Sequence, residues 1–269
     1  MNIIFIPNIK MGDGRSNPYH YSVNSWKQWS EQYDDVKVIE WDTPILDTSI
    51  YKITLQRYWV FDILEYNDIE YDQVLMVDAD TIVHPKCPNF FNETNGKMNV
   101  VVNSGCMEWV TRSIRNWGDM LFPNEPKIKS WKYFNGGFQI VSKKHKSFYK
   151  KVQQFYIENI DEITRLANII KAGTDQTIIN YLTQIEGVEL NYLPECYNLQ
   201  DLFKKNLLYI PKHSWWVDDL IFTEAGWVYH FNAIPQNPRH VGYWLKRTYN
   251  ELYENTTKKI EGVVLNYGN

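Results

Sequence analysis

A chain of 269 residues with 44% hydrophobic content carries enough apolar material for one large domain or two small ones with a sizeable core. Its formal net charge of -4 argues against a dedicated nucleic-acid binder, whose footprint is basic. The three cysteines, Cys87, Cys106 and Cys196, are too few and too widely spaced for a disulfide framework or a zinc site, and read as buried thiols in a reducing compartment.

The first apolar run, Ile3-Ile4-Phe5-Ile6, predicts a buried strand ended by Pro7-Asn8. It is too short for a signal-peptide core and has no basic lead, and no run approaches the ~18 apolar residues of a membrane span. A cytoplasmic location is therefore expected, and the glycosylation patterns at Asn92-Glu93-Thr94 and Asn255-Thr256-Thr257 read as chance matches. The turn-rich loop Met11 to Pro18 has Gly-x-Gly but lacks the third glycine and the lysine of phosphate loops. Tyr21 to Tyr33 has loosely helical spacing, and Val36 to Trp41 predicts a second strand. Thr54 to Tyr66 predicts a helix with Ile53, Val60, Ile63 and Leu64 on one face.

Val74 to Val77 predicts a third strand, buried on both faces, that runs straight into Asp78-Ala79-Asp80-Thr81. If the backbone stays extended, Asp78 and Asp80 point to the same side. Two like charges sharing a site repel unless something positive lies between them, and oxygen ligands suit hard cations. In open α/β sheets, ligands sit outside the carboxyl ends of strands. The first 83 residues thus read strand-helix-strand-helix-strand, the pattern of a parallel nucleotide-binding sheet.

Met98 to Val102 predicts another strand, and the stretch carrying Trp109, Trp117 and Trp131 reads as a loop. Phe134 to Val141 predicts a strand headed by Asn135-Gly136-Gly137, where glycine permits close backbone approach. Lys146 to Lys171 predicts a long helix ended by Gly173, with Phe148, Val152, Phe155, Tyr156, Ile160, Ile163, Ala167 and Ile170 in register. Thr174 reads as the N-cap of a helix from Asp175 to Gln184. Val188 to Leu193 and Gly226 to Asn232 predict strands, and Val241 to Tyr253 a final helix.

In this order the pieces resemble GT-A-fold nucleotide-sugar transferases, most closely the family 8 type of glycogenin and the lipopolysaccharide galactosyltransferases. Val77-Asp78-Ala79-Asp80-Thr81 looks like that family's metal motif, and Tyr133 to Phe138 is similar to its Phe-Asn-Ala-Gly segment. Asp175-Gln176-Thr177 is similar to its Asp-Gln helix start, Leu193-Pro194-Glu195-Cys196-Tyr197-Asn198 to its Leu-Pro-x-x-Tyr-Asn turn, and Val228-Tyr229-His230-Phe231 to the strand with its third metal ligand. The resemblance implies a single α/β GT-A domain, Rossmann-like, with a mixed, mostly parallel central sheet flanked by helices. It implies a nucleotide-binding half over about 1–103, an acceptor and sugar half over about 104–244, and a C-terminal helix over about 241–253.

The implied activity is metal-dependent transfer of a hexose from a nucleotide diphosphate sugar, usually UDP, to a glycan, lipid or protein acceptor with retained configuration. Asp78, Asp80 and His230 would hold the cation, and an imidazole beside two carboxylates tilts the choice to Mn2+ over Mg2+. By the same correspondence Asn135, Asp175 and Gln176 line the donor sugar. Pro7, Asn8, Ala79 and Gly136 border the nucleotide sugar, with Lys52 as the basic donor-binding residue and Arg57 as runner-up. Variable loops at 104–132 and 199–225 would face the acceptor. One departure concerns the diphosphate: the family's glycine and lysine after the metal histidine are here Ala233 and Gln236, and Gln236 can donate a hydrogen bond to a phosphate but carries no charge, so either Arg239, Lys212 or Lys52 supplies the charge, Arg239 foremost, or donor binding is weaker than usual. Two other readings compete. Asp78-Ala79-Asp80-Thr81 also matches the nucleophile motif of haloacid-dehalogenase phosphohydrolases, with Asp218-Asp219 as a late acidic pair. A transferase-shaped module that binds nucleotide sugars or glycans without turnover is the other.

Overall fold

The structure, a computed structural model, describes residues 1–14, 16–208, 220–235 and 240–254. Its centre is a six-stranded mixed sheet. The first strand, β1 (Asn2–Pro7), pairs in parallel with β2 (Val36–Trp41) on one side and β3 (Gln73–Val77) on the other. A short strand, β4 (Thr81–Val83), leaves this sheet; β5 (Met98–Val102) and β6 (Phe134–Ser142) return to it, β6 antiparallel to both β3 and β5. The strand β7 (Leu190–Leu193) closes the far edge in parallel with β5, giving the order β2-β1-β3-β6-β5-β7. A second sheet pairs β4 with β8 (Val228–His230), antiparallel.

Both faces of the large sheet are buried, and the strands show it by alternation. Ile3, Phe5, Val74 and Met76 join one apolar cluster, while Ile4, Ile6, Leu75 and Val77 join the cluster behind them. The second face is covered by α1 (His20–Ser30), which brings Trp26 and Trp29 wholly inside. Burying each indole contributes roughly 2–3 kcal/mol, and each N–H finds an acceptor: Thr81 Oγ1 at 3.0 Å and the Cys87 carbonyl at 2.8 Å. Trp26 thereby ties α1 to the first residue of β4.

The first face is covered by α2 (Val60–Tyr66), α3 (Met107–Met120), α4 (Lys146–Ile170) and α5 (Thr174–Ile185). The last helix, α6 (Val241–Tyr249), lays Trp244, Leu245 and Tyr249 over Ile82 and Tyr229 of the small sheet and over Phe231 just beyond it. No helix of the described residues is long and apolar enough to cross a membrane. The α/β architecture, with a mixed, mostly parallel sheet flanked by helices, is the one expected from the sequence.

Several local expectations are corrected. In the stretch after β5, Trp109 and Trp117 lie not in a loop but on α3, which buries Val110, Ser113, Ile114, Trp117 and Gly118, while Trp131 lies in a short 3-10 turn beyond it. Its inward face mixes serine and glycine with apolar residues, which masks the helical period. Only Val60–Tyr66 of the helix expected from Thr54 is α-helical; Ile53–Trp59 winds as a tighter 3-10 helix. The acidic pair is not on an extended strand: β3 stops at Val77, and Asp78-Ala79-Asp80 turns before β4. Lys171, not Gly173, is the left-handed C-cap of α4, at φ 54°. Gly173, at φ 63°, is instead the N-cap of α5, and Thr174 is already helical. A Cβ on Gly173 would lie 2.2 Å from Thr177 Oγ1. Of the three free cysteines, Cys87 is buried while Cys106 and Cys196 are half-buried.

Candidate functional site

A cavity of about 520 Å³ opens at the carboxyl end of β1 and β3. Antiparallel pairing brings the start of β6 there: Val77 faces Phe138, and the Asp78 N–H donates to the Gly137 carbonyl at 3.0 Å. The small sheet brings the end of β8 to the same place, since Thr81 faces His230 and the Phe231 N–H donates to the Asp80 carbonyl at 2.9 Å. The first turn of α5 supplies the opposite wall with Asp175 and Gln176.

Asp78, Asp80 and His230 converge, each with a ligand atom within 4.8 Å of the others. His230 Nε2 lies 3.2 Å from Asp80 Oδ1 and 3.5 Å from Asp78 Oδ2. It is buried and aligned for a hydrogen bond with neither. Burial alone would lower the His230 pKa, but the carboxylates of Asp80 and Asp78 outweigh it and push the ring up to about 10. Gly137 makes the convergence sterically possible: a Cβ there would sit 2.2 Å from Asp78 Oδ2 and 2.7 Å from His230 Cε1.

Arg57 is 4% exposed, lines the cavity and makes three bonds to the surrounding protein. Nη2 meets Asp78 Oδ1 at 2.7 Å, Nη1 donates to the Gly136 carbonyl at 2.8 Å, and Nε donates to the Thr54 carbonyl at 2.9 Å. Burial would push Asp78 up, but Arg57 and His230 hold its carboxyl well below the usual range. Burial raises Asp175, partly opposed by Arg57.

The amides around the acidic group are bonded to one another. His230 Nδ1 contacts Asn198 Oδ1 at 3.1 Å, Asn198 Nδ2 donates to Asn135 Oδ1 at 3.1 Å, and Asn135 Nδ2 donates to Gln176 Oε1 at 3.2 Å. Gln176 Nε2 is buried with no hydrogen-bond partner, and Gln176 lines the cavity. At the far end Pro7 and Asn8 line it, and Asn8 Nδ2 donates to Glu40 Oε1 at 2.8 Å.

Of the residues singled out from the sequence, Pro7, Asn8, Arg57, Asp78, Ala79, Asp80, Asn135, Gly136, Asp175, Gln176 and His230 all line this one cavity. Lys52 does not; it is exposed, at the N-cap of the 3-10 helix. Lys212, Asp218, Asp219, Gln236, Arg239 and the Asn255 pattern lie outside the described residues. Ala233 has φ 54°, a conformation that favours the glycine it replaces in the resemblance. Sequence reasoning missed Gly137 as a steric requirement, Asn198 as a partner of His230, and Lys171 and Trp109 as lining residues. The Gly-Gly pair and the Tyr197-Asn198 turn were the only signals for the first two.

No family model matches this chain, and no curated protein matches it. Among solved structures it is similar to a glycosyltransferase involved in the glycosylation of the major capsid of PBCV-1, with TM-score 0.56 and 9% identity over 91% of this chain and 98% of that one. It is also similar to the glycosyltransferase GlyE of Streptococcus pneumoniae TIGR4, with TM-score 0.47 and 15% identity over 96% of this chain and 64% of that one. Mouse xyloside xylosyltransferase 1 matches with TM-score 0.46 and 10% identity over 87% of this chain and 98% of that one. Identities this low speak to the fold, and on the first of these matches the chain has a glycosyltransferase fold of the GT-A type.

Proposed function

We propose that this chain is a metal-dependent, retaining glycosyltransferase of the family 8 type that moves a hexose from UDP-hexose to a glycan, lipid or protein acceptor. The observation that carries the reading is the convergence of Asp78, Asp80 and His230, whose buried Nε2 faces both carboxylates without a hydrogen bond, on the cavity that Asp175 and Gln176 also line. The donor set fits a divalent cation: two carboxylates supply hard oxygens and an imidazole nitrogen favours Mn2+ over Mg2+. When bound, such a cation acts as a Lewis acid toward the departing diphosphate.

The chain's own residues do the rest. Arg57 holds Asp78 ionised and in place as a ligand. Pro7 and Asn8 border the nucleotide, with Ala79 between the two acidic ligands. Gly136 has its N–H bonded to Gln176 and its carbonyl to Arg57, so it serves by leaving room for the donor. Asn135 orients Gln176, whose free Nε2–H2 donates to the sugar, and the Asp175 carboxylate accepts from sugar hydroxyls. The remaining diphosphate charge is assigned to Arg239, with Gln236 as a hydrogen-bond donor, both outside the described residues, and the acceptor to the segments 104–132 and 199–225.

Calorimetric titration with UDP tests the reading. Mn2+ is expected to tighten UDP binding at least tenfold over chelator, and Asp80→Ala to remove that difference. Equal UDP affinity with Mn2+ and with chelator would sink the proposal.

A further inference from the structure

The hydrogen bonds around His230 form one directed chain, and two backbone N–H groups set its direction. A backbone N–H can only donate, so the atom it meets is an acceptor. The Gly137 N–H donates to Asn135 Oδ1 at 2.9 Å. The Asn198 atom 3.1 Å from that same oxygen is therefore its amide nitrogen. The other arm of Asn198 is then the oxygen, 3.1 Å from His230 Nδ1, so Nδ1 carries a proton. On the opposite side the Gly136 N–H donates to Gln176 Oε1 at 3.0 Å, which makes the Asn135 atom facing that oxygen a nitrogen. The chain ends in two buried atoms without hydrogen-bond partners, Nε2 of His230 and Nε2 of Gln176.

We propose that Asn198 is the positioning residue of this site: it holds His230 in the Nδ1–H form, leaving Nε2 to ligate a metal, and holds Asn135 so that the free amide of Gln176 faces the donor sugar. The proposal rests on the metal-dependent reading given above. Asn198 is wholly buried and touches neither the cavity nor the acidic ligands, so it acts through its two neighbours. Its two arms do different work. The oxygen selects the ring tautomer, since a neutral ring protonated on Nε2 offers a cation nothing. The nitrogen meets an Asn135 oxygen that already accepts from Gly137, and so keeps Asn135 from rotating.

The arms are separable by substitution. Asn198→Asp keeps an acceptor for Nδ1–H but puts an oxygen where Asn135 needs a donor; Asn198→Leu removes both functions at similar volume. The probe is Mn2+ alone, its free concentration read by electron paramagnetic resonance. In Asn198→Leu, Mn2+ affinity is expected to fall about ten- to hundredfold, and in Asn198→Asp to stay within about threefold of the parent or to tighten. Asn198→Asp is also expected to lose about tenfold in kcat for donor hydrolysis with little change in the UDP dissociation constant. Parent-like Mn2+ affinity in Asn198→Leu overturns the proposal, and so does equal weakening in both variants, because the loss then follows packing. Should Asn198→Leu fail to fold, Asn198→Asp decides alone: Mn2+ affinity reduced more than about tenfold overturns the assignment. A parent that binds no Mn2+ overturns the metal reading and this proposal with it, whereas variant results on a binding parent bear on Asn198 only.

Discussion

Arg57 Nη2 sits 2.7 Å from Asp78 Oδ1, and the arginine is almost wholly enclosed by the protein. A cation beside the first acidic residue of the motif looks at first like a donor-binding group. Its bonds to Asp78 and to the Gly136 and Thr54 carbonyls take three of its five N–H donors. It acts as the resident counter-charge, letting Asp78 stay ionised beside Asp80 before any cation arrives.

Removing one partner of a buried ion pair leaves the other uncompensated, at about 3–5 kcal/mol. Arg57→Met is therefore expected to lower stability to urea by about 3 kcal/mol. Arg57→Lys should recover only part, since an ammonium cannot reach Asp78 and both carbonyls with the same fork. A Met variant as stable as the parent would remove the counter-charge role.

Metal uptake should be proton-linked. With the His230 pKa pushed up to about 10, the ring carries a proton on Nε2 at neutral pH, and a cation must displace it. Protons leave on binding, so affinity rises with pH. Between about pH 6.5 and 8.5, Mn2+ affinity is expected to increase by close to tenfold per unit, and calorimetry in buffers of different ionisation enthalpy should count about one proton released. His230→Gln should abolish the slope as well as weaken binding.

Asp175 and Gln176 face the reacting sugar in the proposed function, away from the nucleotide. Asp175→Asn is expected to cut donor hydrolysis about a hundredfold while UDP affinity changes less than about twofold. Loss of UDP binding in proportion to loss of rate would show the assignment to be wrong.

The two neighbouring glycines should behave oppositely. Gly137→Ala places a methyl against Asp78 and His230 and should reduce Mn2+ affinity tenfold or more. Gly136→Ala meets Gln176 Cβ at 3.4 Å, an ordinary contact, and should leave Mn2+ affinity near the parent value. Parallel Mn2+ titrations of the two variants make the comparison.

A pH effect unrelated to the cavity is expected at His145. Ser142 N–H donates to its Nδ1 at 3.0 Å, so the ring takes the place of the usual Glu or Gln in a capping box before α4. Burial, with Lys144 adding to it, lowers its pKa to about 4. A depressed folded-state value means the contribution is complete above about pH 6.5 and lost as pH falls through about 4, on the order of 2 kcal/mol. Urea titrations across that window should show the loss, and His145→Gln should flatten it.

What the sequence revealed follows from where information is local. β1 and β5 were legible because buried strands are short apolar runs, β2 because Val36, Val38 and Ile39 mark a strand even at a half-buried edge, and α4 because its apolar spacing persists for about seven turns. α3 was not, since Ser113 and Gly118 lie on its buried face. The site was legible as an order of motifs, but no local pattern says that Thr81 pairs with His230 or that Asn198 touches its ring. Lys52 was preferred over Arg57 on the resemblance alone, and local sequence does not tell exposure from enclosure; the structure puts Lys52 in solvent and Arg57 inside.

The pairing of β4 with β8 also sets an order in time. β1, β2 and β3 can associate early, because β1 pairs with both of the strands that follow it most closely along the chain. β4 must wait for a strand much further along the chain, and closing that long loop is an entropic cost met late. Until then a nascent chain displays two carboxylates and Arg57 but no imidazole. A chain cut short before His230 would thus carry the six-stranded sheet but not the complete Asp78–Asp80–His230 group.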